Sequence, residues 1–252
     1  MNKKLCDLLN FRILAVEKTV KILFSIMYNF AAKSAKIFET CKKISTNLVN
    51  DFGDVPRRGV IPKFSDLVDS NPIPVCRTSR GKRCKMGKDD FSTAPDSGFC
   101  ASQNTYYFGC KLHELCGLSG GIHSYDLSKA SVHDIHYLND IKPVYSNCSI
   151  FGNKAYISVD IQLDLFVTSN IRLECPYHLN QKPIFKPFVK ARKRVETNFP
   201  QLTDQYMVMR NYAKQSNCLF ARIVGKISAQ AITQYFNYIY NKPIDRVKYA
   251  LI

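Results

Sequence analysis

Apolar residues recur at about every third or fourth position through the first 48 residues. Leu8, Phe11, Leu14, Val20, Leu23, Met27, Phe30 and Ile37 form a stripe with lysines on the other side, which predicts a helical arm. Pro56, Gly59 and Pro62 then predict a linker, so residues 1–60 read as arm and linker and 61–252 as the main domain. Phe64–Ser70 reads as a strand stopped by Asn71-Pro72, and 77–98 as a basic loop. Thr105–Leu115 alternates as a strand does. Gly117–Gly121 reads as a turn, with Ile122–Leu127 returning antiparallel. Ser131 opens a helix through Ile141. Cys148–Phe151 is a short strand, Val159–Thr168 a helix behind Ser158, and Ile171–Cys175 another strand. From Lys190 onward the pattern is mostly helical. Ala221–Tyr240 carries an apolar stripe of Ile223, Ile227, Ala231, Ile232, Tyr235, Phe236 and Ile239, ended by Pro243. The order predicts a mixed α/β layer, an antiparallel hairpin leading into parallel units.

The chain has 252 residues and 46% of them are hydrophobic, enough for a substantial packed core. Its net charge of +16 changes the functional picture, because it favours a polyanionic partner, a nucleic acid or an acidic membrane surface. The ten cysteines contain no C-x-x-C, and no signal-peptide pattern is visible, so the expectation is reduced thiols and a cytoplasmic, nucleoid-associated protein. The apolar run Ile22–Ala32 is too short to span a bilayer.

Two acids stand beside dense basic runs. Asp69 is followed by Arg77, Arg80, Lys82, Arg83, Lys85 and Lys88. Glu196 is preceded by Lys182, Lys186, Lys190, Arg192, Lys193 and Arg194. Each run alone fits a solvated face as well as a phosphate-binding one, but two runs beside two candidate metal ligands favour DNA. Phosphodiester chemistry commonly uses two divalent ions, and Mg²⁺ takes hard oxygen ligands, so Asp and Glu are the residue types required.

Five segments sharpen this reading: Val68-Asp-Ser-Asn-Pro-Ile-Pro-Val-Cys76, Tyr106-Tyr-Phe-Gly-Cys-Lys-Leu-His113, Lys129-Ala-Ser-Val-His-Asp134, Gly152-Asn-Lys-Ala-Tyr-Ile-Ser158 and Arg192-Lys-Arg-Val-Glu-Thr197. In this order they resemble a DDE transposase of bacterial insertion sequences, closest to the insertion-sequence 982 family, as a shortened and divergent copy. The resemblance covers about Leu67 to Arg246. It implies a ribonuclease-H-like fold and Mg²⁺-dependent cleavage and strand transfer on double-stranded DNA at the element's ends and target, with a homodimer as a candidate assembly and no membrane partner. Asp69 and Glu196 take the positions of the first and last catalytic acids and metal ligands, and Asn153 that of the second aspartate.

Three departures from the family pattern bear on activity. Asn153 removes one negative charge from the metal set. Ala155 replaces a glycine, which is costly if that position needs a positive φ. Pro200 follows Glu196 by four residues and bends the helix there, unless the helix begins near Thr197 or Asn198. The competing readings are a DNA-binding remnant without catalysis and a basic RNA- or membrane-surface protein. Other constellations carry less. On a strand Cys110 and Cys116 would share one face and His113 the other, so the three do not converge easily on zinc and a core-and-surface reading is favoured. His133 and His136 read as part of an ordinary helix start, His178 as a polar loop residue, and Tyr106 and Tyr107 as strand packing.

Overall fold

The computed structural model describes residues 64–87, 94–176 and 188–250, with the backbone alone for Phe64 and residues 188–192. The expected arm and linker lie outside these residues, as do Lys88, His178, Lys182 and Lys186. The strands are β1 (Phe64–Cys76), β2 (Asp96–Cys100), β3 (Thr105–Gly117), β4 (Ile122–Lys129), β5 (Cys148–Phe151) and β6 (Arg172–Glu174). The helices are α1 (Tyr137–Ile141), α2 (Val159–Ser169), α3 (Phe188–Asp204) and α4 (Ser216–Ile239).

One mixed sheet carries all six strands, in the order β2-β3-β1-β5-β6 with β4 also on β3. β1 and β3 are antiparallel, while β1, β5 and β6 run parallel. β3 is long enough to hold β2 along Thr105–Gly109 and β4 along Cys110–Cys116. At Gly109 the backbones of β1 and β3 come so close that a Cβ would lie 2.1 Å from the Ile73 carbonyl oxygen, so only glycine fits.

Several boundaries differ from expectation. β1 does not stop at Asn71-Pro72 but continues to Cys76. β5 pairs with β1 only along Phe64–Leu67, so beyond that point one edge of β1 has no neighbour strand among the described residues. Pro72 and Pro74 are two residues apart and turn their nitrogens to the same side, so an unpaired edge accommodates both. The 77–98 loop contains a 3₁₀ turn, Thr78–Arg83, and its last residues open the strand β2, whose Asp96-Ser-Gly-Phe-Cys sequence has little β propensity of its own. The helix expected from Ser131 starts as a 3₁₀ turn at Asp134 and becomes α-helical only at Tyr137.

Alternation along the strands splits the core into two layers. Leu67, Ile73, Cys110, Leu112 and Cys116 face α3 and α4, meeting Val195, Phe199, Leu202, Leu219, Ile223 and Ile227. Val68 and Leu115 face the other way, onto Leu138 and Ile141 of α1 and Leu165 of α2. Sheet edge and α3 thus meet beside Asp69.

Candidate active site

Asp69 is half-buried on β1, directly opposite Glu114 of β3. It accepts from the Ser70 N–H at 2.9 Å. Asn153 follows β5 by two residues and caps the 3₁₀ turn Lys154–Tyr156. Its side-chain oxygen accepts from the Ala155 N–H at 2.7 Å, and its Nδ2 donates to Asp69 Oδ1 at 2.7 Å. These two bonds fix the orientation of the amide. A flipped amide would set its oxygen against a carboxylate and its NH₂ against a backbone N–H. Ala155 is not among the positive-φ residues of the chain, so the expected strain at that position does not arise.

Asp69 and Asn153 lie on the wall of a cleft of about 490 Å³ that also includes Phe99, Tyr107, Lys111 and Asp134. Asp134 is held there twice, by Lys111 Nζ at 2.7 Å and by the Ser70 hydroxyl, which donates to it at 2.9 Å. Lys111 also donates to the Val132 carbonyl at 2.9 Å. Tyr107 is buried, as strand packing predicts. Tyr106 is 73% exposed and tilts against Phe99 at 4.9 Å between ring centres.

Glu196 is exposed on α3. Its neighbour Val195 is buried and shares a small pocket with Asp69 and Asn153, which brings the Glu196 backbone to this edge of the sheet. The helix does not begin near Thr197. It runs from Phe188, so Pro200 lies in its interior. Pro200 has no N–H to return to the Glu196 carbonyl, so that helical hydrogen bond is missing at this position.

Of the basic runs, Arg77, Arg80, Lys82, Arg83 and Lys85 are exposed on and around the 3₁₀ turn. The backbones of Lys190 and Arg192 lie on α3, and Lys193 is exposed there. Arg194 instead pairs with Asp245 beyond α4.

Sequence reading missed Glu114. It is fully buried and accepts from Asn198 Nδ2 of α3 at 2.8 Å, while the same amide nitrogen donates to the Gly120 carbonyl at 3.0 Å. Burial pushes its carboxyl up to about 7; the Asn198 hydrogen bond opposes that rise and nearby Asp69 adds to it. The available signal was an acid set between Leu112 and the Leu115-Cys116 pair in a strand that reads as half-buried.

The zinc reading fails as expected. Cys110 and Cys116 belong to the α3–α4 layer. His113 instead stacks on Tyr137 at 5.0 Å and bonds the Ser128 hydroxyl at 2.8 Å. Burial pushes the Cys110 thiol up to about 12, away from the thiolate a metal requires. His133 caps the 3₁₀ turn, accepting from the Ile135 N–H.

A divalent ion beside Asp69 would need oxygen donors aimed at it. Asn153 turns a nitrogen that cannot bind a cation toward Asp69, and its oxygen is taken by the Ala155 N–H. Among the described residues, no group of three or more His, Cys, Asp or Glu side chains is arranged to hold a metal. The donor set as arranged does not fit the metal centre that DDE transposase domains generally use.

The transposase DDE domain model matches residues 67–232, more than half of the chain, with Asp69 near its start and Asn153 and Glu196 inside it. The chain belongs to the family of DDE-domain transposases. Comparison with curated proteins and with solved structures gives no match. Among the described residues, no helix is long and apolar enough to cross a membrane.

Proposed function

We propose that this chain is a transposase by descent, of the insertion-sequence 982 type, that binds double-stranded DNA but is impaired in metal-dependent strand cleavage and transfer. Family membership and a net charge of +16 support the DNA substrate. The strand order supports the ribonuclease-H-like reading. β4, β3 and β1 are antiparallel, β5 and β6 join parallel on the far side of β1, and the first two candidate positions fall on β1 and just after β5. Asp69, Asn153 and Glu196 are the proposed remains of the catalytic set, and a homodimer is the proposed assembly.

The observation that carries the impairment is the Asn153–Asp69 hydrogen bond. It fills with a neutral donor the side of Asp69 where a second carboxylate would share a cation. End-containing duplex should bind in EDTA without any added divalent ion, as followed by anisotropy, and should yield no nicked product when Mg²⁺ is supplied. Mg²⁺-dependent nicking by the unaltered chain, lost on Asp69→Ala, would overturn the reading.

A further inference from the structure

Phe99 and Tyr106 stand directly opposite each other on β2 and β3, so their side chains share one face of the hairpin. Their ring centres lie 4.9 Å apart at an interplanar angle of 51°, tilted rather than stacked. Tyr106 is 73% exposed and Phe99 47%, so at least one flat face of the Tyr106 ring is open to solvent. Strand packing accounts only for the contact between the two rings. A cross-strand aromatic pair helps to hold β2, whose own sequence has little β propensity. That role needs apolar contact across the strands and does not need an aromatic face turned to water.

The surroundings of the pair indicate a partner. Alternation along β3 sets Tyr106 and Phe108 on the same face, about 7 Å apart along the strand. The turn Thr78–Arg83 packs on that face, where Gly81 lies so close to the Phe108 ring that a Cβ would stand 2.6 Å from it. This turn and its flanks expose Arg77, Arg80, Lys82, Arg83 and Lys85, and no acid interrupts them. The one acid of β2, Asp96, falls on the opposite face with Gly98, which abuts the Ala130 carbonyl. Open rings and a cluster of cations thus share one side of the sheet. The combination suits a single-stranded polynucleotide, whose bases stack on rings while its phosphates meet cations. A paired duplex keeps its base faces inside the stack and can use the cations alone. β2 is also the edge of the sheet, and Phe99 contributes to the wall of the cleft that holds Asp69 and Asn153. The rings therefore border the candidate active site.

We propose that Tyr106 and Phe99 form a stacking site for unpaired bases of a DNA strand, with the Arg77–Lys85 turn binding its phosphates. This rests on the DNA-binding reading above and adds to it a site specific for the unpaired form. It does not depend on strand cleavage.

The test compares a short single-stranded oligo-dT with a blunt duplex by anisotropy, using the full chain and two variants. Tyr106→Leu keeps an apolar contact with Phe99 but offers no ring to stack on, whereas Tyr106→Phe keeps the ring. Tyr106→Leu should bind oligo-dT about tenfold more weakly, with duplex affinity within about twofold of the unaltered chain. Tyr106→Phe should match the unaltered chain on both. The chain contains no tryptophan, so Tyr106→Trp adds a single reporter, whose emission oligo-dT should quench and duplex should not. That measurement decides the matter if Tyr106→Leu melts well below the unaltered chain. Equal losses on the two DNA forms, no loss on oligo-dT, or equal quenching by both would overturn the proposal, while duplex binding by the unaltered chain keeps the underlying reading. Tighter binding of oligo-rU than of oligo-dT would assign the rings to RNA and overturn it as well. Failure of the unaltered chain to bind either DNA would remove the DNA-binding reading itself, and the stacking site with it.

Discussion

Asn153 Nδ2 and Asp69 Oδ1 stand 2.7 Å apart, donor to acceptor, across 84 residues of sequence. The bond joins the end of β5 to β1 and neutralises nothing; it replaces charge sharing with hydrogen bonding. In Asn153→Asp the donor is lost and two carboxylates face each other in a partly buried site. One must take up a proton or the pair must recruit a cation. The variant should melt about 2–4 °C lower in EDTA for each kcal/mol of that repulsion. Millimolar Mg²⁺ should restore the loss, because a ligand that binds only the folded state stabilises it. The unaltered chain should melt at one temperature in both buffers. Differential scanning fluorimetry with and without Mg²⁺ decides this, and a Mg²⁺-dependent rise in the unaltered chain would count against the neutral-pair account.

Pro200 lies inside α3, exposed, four residues after Glu196. An interior proline costs about 3 kcal/mol, part of which it returns by restricting the unfolded chain. Because the ring is exposed, its removal leaves no cavity. Pro200→Ala should therefore raise stability by about 1–2 kcal/mol in urea unfolding. No change, or a loss, would show that the surrounding packing requires the proline at this position.

How much of this was readable beforehand follows from what each residue's signal depends on. Ser158 and the apolar positions after it gave α2 almost to the residue, because a cap and a helical period are local properties. Cys148–Phe151 was found for a similar reason, as a short apolar run between breakers. β2 was invisible because Asp96-Ser-Gly-Phe-Cys is held by pairing to β3 rather than by propensity. The extension of β1 past Pro72 depended on which edge lacks a neighbour, a tertiary fact. Motif order placed Asp69 and Asn153 as a pair, but that Asn153 would donate to Asp69 rather than offer it an oxygen was set by the Ala155 N–H. Glu114 escaped because an acid in a strand reads as solvent-facing until the partner helix is known.

Glu114 gives the fold a pH dependence of unusual sign. Its folded pKa is raised to about 7 by burial, above the ordinary carboxylate value. The folded state therefore holds its proton where the unfolded state has released it. Stability from this group is fully present below about pH 4.5 and declines as pH rises toward about 7, beyond which both states are ionised and the loss is constant. A shift of this size is on the order of 3 kcal/mol. Glu114→Gln keeps an acceptor for Asn198 without the charge, so it should flatten the decline and be the more stable protein at pH 8. Urea midpoints at pH 5 and pH 8 test this. If the unaltered chain gains stability over that interval relative to Glu114→Gln, the buried acid is ionised and compensated.

The structure separates basic residues that the sequence groups together, and DNA affinity should follow that division. Lys82 and Arg83 are exposed at the end of the 3₁₀ turn, with no partner among the ion pairs found in the described residues. Arg194 is engaged with Asp245, and that pair links α3 to the segment following α4. A cation that meets phosphate releases counterions, and each such contact contributes about 0.9 to the slope of log affinity against log salt. Affinity for duplex should fall about a thousand-fold or more between roughly 50 and 200 mM salt if several contacts form. Lys82→Ala with Arg83→Ala should lower the slope by about 2. Arg194→Ala should leave the slope nearly unchanged and reduce stability instead, since it leaves Asp245, largely buried, without its cation. Anisotropy titrations at four salt concentrations, with melting curves for each variant, distinguish the two effects. A slope that drops for Arg194→Ala but not for the Lys82, Arg83 pair would move the DNA path from the turn after β1 to the face of α3.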